Sequence, residues 1–191
     1  MGRPSLRVLV ALALAACSDE APEAPPSPAA DPAPPSPEPI APPPAPEPPS
    51  LAPDEEARFG RVTLHPGFTP DPRTLGGDAG GPLDASTLAE GCAGFVAPAP
   101  AHVVDADGSF AELRFLVRPE DDDAVGLVLR DPGGVFHCVV PPEAGEGTVL
   151  AMPIAPGRHA LWVSARSAAL RPAYVLGISE LTATELASLA R

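Results

Sequence analysis

The sequence predicts an all-β domain, an antiparallel sandwich or barrel of about eight strands, behind a proline-rich segment with no fold of its own. All eight aromatic residues lie in the 138 residues from Asp54 to Arg191, whereas 16 of the 30 prolines fall between Ala21 and Pro53. After Asp54, short apolar-alternating runs are separated by Gly, Pro and Asp, which is typical of such folds. The chain therefore has material for one core.

The clearest strand runs from Phe110 to Arg118, because Leu113, Phe115 and Val117 alternate with charged residues and only Leu116 departs from the pattern. Similar patterns predict seven more strands: Phe59–Leu64, His102–Asp105, Ala124–Arg130, Gly134–Val140, Val149–Met152, His159–Ala165 and Tyr174–Ser179.

Two turns and one helix complete the prediction. The turn Asp131–Gly134 should join its neighbouring strands as a hairpin, and Pro153–Gly157 should form a second one. Thr182 and Glu185 fit a capping box, which predicts a short C-terminal helix.

The N-terminus predicts export. Residues 1–16 place two arginines before a nine-residue apolar run, too short to span a bilayer and typical of a signal peptide. The run ends in Leu-Ala-Ala-Cys17, which resembles the lipobox of bacterial lipoproteins. That resemblance implies lipidation of Cys17 and anchoring in the cell envelope, with Ser18 favouring the outer membrane. The alternative is a conventionally cleaved, secreted protein.

Residues 17–53 are expected to be a disordered tether, since they hold almost no large aliphatic residue to bury. Proline favours extended backbone of about 3.1 Å per residue, so this segment would hold the domain of residues 54–191 away from its membrane. A proline-motif ligand for another protein is the alternative.

A net charge of -13, with 12 basic residues against 25 acidic ones, argues against nucleic-acid binding. With Cys17 lipidated, Cys92 and Cys138 remain as an even pair in an exported chain, and we expect a structural disulfide between them.

Candidate chemistry is weak. Gly77–Pro82 resembles the nucleophile loop of trypsin-like peptidases with alanine in place of serine, so we expect a glycine-rich turn without catalysis. Asp121, Asp122 and Asp123 are weak calcium candidates, and a solvated acidic loop is the alternative. The histidines are scattered and expected at the surface or at strand edges: His65, His102, His137 and His159.

A family resemblance rests on an ordered series of segments: Val62–Pro72, Gly80–Gly81, Leu83–Ser86, Gly91–Phe95, Pro100–Val103, Val128–Gly134 with Cys138, and Gly157–Val163. The series is similar to exported bacterial β-sandwich domains related to the pre-peptidase C-terminal domain. It implies a jelly-roll-like sandwich, a Cys92–Cys138 bond, no catalytic machinery and an accessory or binding role. Where the family commonly has acidic residues that help hold calcium, this chain has Val139 and Val140.

The sequence therefore predicts a non-enzymatic, lipid-anchored envelope protein without a cofactor, which presents its domain to an envelope protein or glycan. The alternatives are a carbohydrate- or calcium-dependent binding module and a hydrolase. Sugar binding would need an exposed aromatic ring among Phe136, Trp162 and Tyr174, whose alternation favours the core.

Overall fold

The computed structural model describes residues 50–143 and 145–189. The predicted signal peptide, Cys17 and the tether up to residue 49 lie outside the described residues. The described residues form eleven strands: β1 Arg61–Leu64, β2 Arg73–Asp78, β3 Leu83–Asp84, β4 Phe95–Val96, β5 His102–Ala106, β6 Phe110–Pro119, β7 Val125–Arg130, β8 Phe136–Val139, β9 Thr148–Ile154, β10 Gly157–Ala165 and β11 Ala173–Ser179.

The strands form two sheets that enclose one core, so the predicted all-β sandwich is confirmed. In the first sheet β10 pairs with β5, β7 and β4, which continue to β1, β8 and β3 respectively. The second sheet has the order β2-β11-β6-β9. All pairs are antiparallel except β1 with β5, which run parallel.

Strand β6 shows how alternation creates two buried faces. Leu113, Phe115 and Val117 are fully buried in the core between the sheets. Leu116, which departs from the apolar-polar pattern, lies on the opposite face and packs with Val175 and Leu189. The departure is therefore explained by a C-terminal segment that covers the outer face of this sheet.

The predicted hairpin between β7 and β8 is confirmed. The amide of Gly134 donates to the Asp131 carbonyl at 3.0 Å, and the amide of Val135 donates to the Asp131 carboxylate at 2.9 Å. Gly134 has a φ of 87°, which favours glycine. Asp131 thus closes the turn with both its backbone and its side chain.

The second predicted hairpin is wrong. Strand β9 pairs with β6 in one sheet, whereas β10 pairs in the other, so Ala155 and Pro156 between them cross from sheet to sheet. Alternation predicts each strand and the turn, but not the partner that each strand takes. Pro153 lies within β9, where the missing donor is tolerated because β9 is an edge strand.

The predicted C-terminal helix is reduced to one 3-10 turn, Leu186–Ser188, and the capping box is absent because Glu185 makes no side-chain cap. Instead, the hydroxyl groups of Thr184 and Ser179 lie 2.8 Å apart in a hydrogen bond. The guanidinium of Arg118 donates to the Leu189 carbonyl at 2.9 Å. Tertiary contacts therefore override the local helical preference.

A smaller cluster covers the outer face of the first sheet around Trp162, Val128 and the disulfide. Leu51, which the sequence assigns to the tether, packs against it. The amide of Ala52 donates to the Pro98 carbonyl at 2.9 Å. Packing thus begins before the predicted boundary at Asp54.

Candidate functional site

A disulfide joins Cys92, in the loop after β3, to Cys138 in β8. Their Cα atoms lie 5.1 Å apart, and both side chains belong to the outer cluster around Trp162. The bond therefore fastens the 85–92 segment onto the first sheet.

The acidic run Asp121–Asp123 lies in the loop between β6 and β7, where Asp121 and Asp122 are exposed and Asp123 is half-buried. Within residues 50–143 and 145–189, no three His, Cys, Asp or Glu side chains come together in a way that could hold a metal ion. The described His, Cys, Asp and Glu side chains therefore do not group around the weak calcium candidates.

The segment Gly77–Pro82 includes the end of β2 and a close-packed crossing, rather than a free turn. A Cβ atom on Gly81 would lie 2.2 Å from the backbone of Val96, and one on Gly77 would lie 2.5 Å from the Phe59 ring. Ala79, at the position of the peptidase nucleophile, is completely buried. These glycines permit close packing, and this segment carries no nucleophile.

The expectation that all four histidines lie at the surface or at strand edges is wrong for His102 and His159, which are 0% and 1% exposed. His102 Nε2 and the Tyr174 hydroxyl oxygen lie 2.8 Å apart and form a hydrogen bond between the two sheets. Burial lowers the pKa of His102 to about 4 and raises the pKa of Tyr174. Both groups are therefore neutral near pH 7 and bridge the sheets.

A second buried histidine lies near the β7–β8 hairpin. Burial lowers the pKa of His159, whose Nδ1 is 3.2 Å from the Gly157 carbonyl oxygen. In the hairpin, Nε2 of His137 on β8 lies 3.0 Å from the Asp131 carboxylate of the turn. Burial would raise the pKa of Asp131, but hydrogen bonds from His137 and the Val135 amide lower it overall. Sequence spacing could not predict the cluster of His159, His137 and Asp131. These residues come together only because β10, β8 and the end of β7 are neighbours in the sheet.

The aromatic residues named for sugar stacking are not available as flat exposed rings. Trp162 and Tyr174 are 1% and 2% exposed. Phe136 is half-buried, with its ring centroid 6.4 Å from that of Trp162. These three rings serve packing between and over the sheets.

The arginines around the start of the domain also have structural partners. Arg158 donates to the carbonyls of Pro53 and Glu55 at 3.3 and 2.8 Å. Arg61 forms an ion pair with Asp105 at 3.1 Å. The cavity of about 300 Å³ beside Arg61 and Arg158 also contains Asp54 and Glu56, so it is not a purely cationic site.

A shallow groove of about 430 Å³ lies over β2 and β11. Its floor includes Gly76, Ala173 and Val175, and its acidic side chains are Asp78 and Glu120. Ala173 pairs with Asp78 on one side, and its carbonyl accepts from the Glu120 amide on the other, so the two acids flank it in one row. We call these lining residues of β2, β11 and Glu120 the β2 groove.

The sequence does not indicate the β2 groove, because its pattern does not predict β2. The strand reads Arg-Thr-Leu-Gly-Gly-Asp, with one large apolar residue and no alternation. The residues of β2 are exposed or half-buried, and only its pairing with β11 shows that this segment is a strand. Among the residues described, no helix has the length and apolar character needed to cross a bilayer.

No protein-family model matches the sequence, and the curated proteins give no match. Among solved structures, the chain is similar to the pre-peptidase C-terminal domain of a collagenase from Bacillus anthracis, at 13% identity and a TM-score of 0.43, over 66% of this chain and 99% of that one. It is also similar to a β-glucosidase from Paenibacillus barengoltzii, at 14% identity and a TM-score of 0.31, over 68% of this chain and 12% of that one.

Proposed function

We propose that this protein is a lipid-anchored envelope protein that presents a non-catalytic β-sandwich on a proline-rich spacer to a binding partner. The anchor is the thiol of Cys17, and the membrane is the outer membrane. The partner is an envelope protein, which meets the domain at a distance set by the spacer.

The observation that carries the binding role is how the domain uses its polar groups. The described residues with shifted pKa values bridge the sheets, close the β7–β8 hairpin, contact the backbone of their own strand as His159 does, or cap a short turn as Asp84 does for the amide of Ser86. The β2 groove instead combines exposed backbone with carboxylates on a shallow surface. Such a surface suits contact with a partner better than chemistry, which needs convergent titratable groups in a pocket.

Anchoring at Cys17 is supported by the sequence context: a charged and apolar leader before the cysteine and a proline-rich segment after it. Two or three acyl chains hold a protein on a membrane firmly, because each buried methylene contributes about 0.8 kcal/mol. A cleaved protein without lipid would lack this attachment, and its spacer would have no membrane from which to separate the domain.

Cell fractionation tests the proposal. The wild-type protein should sediment with membranes, resist extraction by salt and dissolve in detergent, because its attachment is hydrophobic. The variant Cys17→Ala should lose this behaviour, whereas the neighbouring variant Ser18→Ala should keep it. A wild-type protein recovered in the soluble fraction together with Cys17→Ala would overturn the anchored role.

A further inference from the structure

We propose that the free edge of β2 binds an extended, basic segment of the partner protein, which adds to the second sheet as a fifth strand. This inference rests on the binding role proposed above and names the place and chemistry of contact. Main-chain hydrogen bonds would supply affinity, and alternate side chains would supply specificity.

The hydrogen-bonding phase of β2 identifies the groups that face outward. The Ala79 amide donates to the Pro172 carbonyl at 2.9 Å, which marks this position as a hydrogen-bonded pair of the antiparallel ladder. Such positions alternate, and the register pairs Gly77 with Tyr174 and Leu75 with Leu176. Thr74, Gly76 and Asp78 therefore direct their amides and carbonyls away from β11.

The neighbouring pair of strands gives the same phase independently. The Glu120 amide donates to the Ala173 carbonyl at 2.8 Å, so Ala173 forms its ladder bonds with the β6 side. Its register partner on β2, Asp78, then cannot be hydrogen-bonded to it. Both ladders leave the backbone of Asp78 pointing to the free edge.

This edge is open to solvent. Within the described residues β2 pairs with β11 alone, and Thr74, Gly76 and Asp78 are all exposed. Exposure of Gly76 is exposure of backbone, because glycine has no side chain. An unpaired edge of this kind is a template for another strand; β2 contains no proline, and its two charged residues, Arg73 and Asp78, lie at its ends.

The acidic charge of this surface indicates which kind of segment would bind to the edge of β2. By strand alternation Thr74, Gly76 and Asp78 share the outer face with the β2 groove, whereas Arg73 and Leu75 belong to the inner face. A strand added beside β2 would place one of its side chains opposite Asp78, where opposite charges are favourable. A lysine or arginine on the outer face of the incoming strand therefore fits this site.

The other occupants fit less well. The chain's own segment from residue 21 to residue 49 contains 15 prolines in 29 residues, and proline has no amide hydrogen to donate. A second copy would bring another net charge of -13 to the same edge. A separate protein with a basic extended segment meets both requirements.

Amide hydrogen exchange on the full mature protein in detergent micelles tests the site. The probe is a nine-residue peptide of alternating lysine and valine, compared with an alternating glutamate and valine peptide, each at up to about a millimolar. The lysine peptide should slow exchange in the segment 73–78, and the glutamate peptide should not. No change in 73–78, or protection that is confined to β1 or β9, would overturn the proposal.

Matched variants locate the contact. Gly76→Pro removes an outward amide without removing a bond to β11, a substitution that edge strands tolerate, and it should weaken peptide binding by about tenfold. Gly76→Ala keeps the amide, and its Cβ meets nothing closer than 3.5 Å, so affinity should change by less than about threefold. Asp78→Asn should weaken the lysine peptide by about fivefold.

Equal affinity of Gly76→Pro and Gly76→Ala would overturn strand addition. Protection of 73–78 without peptide that grows with protein concentration would assign the edge to a second copy and also overturn the proposal. Failure here is distinguishable from failure of the anchored role. Fractionation of Cys17→Ala reports the lipid anchor alone and does not involve β2.

Discussion

His102 and Tyr174 form the most consequential single contact, because they place a polar pair inside the apolar core. The hydrogen bond of 2.8 Å satisfies the hydroxyl that would otherwise be buried without a partner. The contact also fixes the spacing of β5 and β11, which belong to different sheets.

The free energy of unfolding should depend on pH through His102. Its pKa is about 4 in the fold against an ordinary value of 6.5, so the unfolded chain takes up the proton first as the pH falls. Stability should be unaffected by this group above pH 6.5 and should fall by roughly 3 kcal/mol between pH 6.5 and pH 4. His159, whose pKa is also lowered, should add to the loss.

Denaturant unfolding across this pH range checks the prediction. His102→Gln keeps a hydrogen-bonding partner for Tyr174 but does not titrate, so its stability should fall less steeply with acid. His65→Gln, in an exposed loop, should behave as the wild type. Identical pH dependence of the wild type and His102→Gln would contradict this assignment.

Glycine-to-alanine substitutions should distinguish a glycine in a close-packed crossing, Gly81, from a glycine at the open edge of β2, Gly76. Gly81→Ala places a Cβ 2.2 Å from the Val96 backbone and should reduce the free energy of unfolding by about 2 kcal/mol or more. Gly76→Ala, with its nearest atom at 3.5 Å, should change it by less than about 0.5 kcal/mol. Thermal unfolding measures both, and equal effects would contradict the packing described for Gly81.

At the scale of elements, the C-terminal segment acts as a cover for the second sheet. Leu189 is 2% exposed against Leu116 and Val175, while its carbonyl accepts from Arg118. Arg114 donates to the carbonyl of Thr182 in the same segment. Side chains on β6 thus determine the path of residues that would otherwise continue as a helix.

Shortening the Leu189 side chain should be costly, because that side chain is buried. Leu189→Ala should lower the free energy of unfolding by about 2–3 kcal/mol, because it opens a cavity over β6. Leu181→Ala is the control, since Leu181 is 54% exposed, and its effect should stay within about 0.5 kcal/mol. Chemical denaturation compares the two, and equal losses would argue against the cover.

The disulfide closes a sequence separation of 46 residues and joins the 85–92 segment to β8. Replacing Cys92 and Cys138 together with alanine should lower stability by about 4 kcal/mol on the chain-entropy model. The measurement is the free energy of unfolding under oxidising conditions. Reducing agent should lower the stability of the wild type and leave that of the double variant unchanged, and a wild type insensitive to reduction would contradict a bond that stabilises the fold.

Sequence patterns predicted the elements in which apolar and polar side chains indicate which positions are buried. Strand β6 alternates between apolar and charged residues, β7 and β11 are short, largely apolar runs, and Asp131–Gly134 has the residues that a tight turn needs. Strand β2 was missed because glycine and polar residues carry no such signal. The partner of β9 was assigned wrongly because pairing depends on distant strands, and the buried histidines were missed because their partners are far away in sequence.

At the scale of the whole molecule, the folded domain and the proline-rich segment differ in composition and in the roles proposed for them. Among the described residues, His102, His159 and five of the eight aromatic side chains are buried. In the proposed account, the proline-rich segment contributes reach rather than a core. The β2 groove exposes backbone and acidic groups together. In the proposed account, the lipid supplies position, the spacer supplies distance and the β2 edge supplies contact.

Intact mass of the membrane-extracted protein tests the central claim of an anchored, displayed domain most directly. The wild type should begin at Cys17 and carry the mass of a diacylglycerol group and one further acyl chain, and Cys17→Ala should carry neither. Ser18→Ala should retain the lipid mass. A wild-type chain that begins beyond Cys17, or that contains Cys17 with no added mass, would contradict the account.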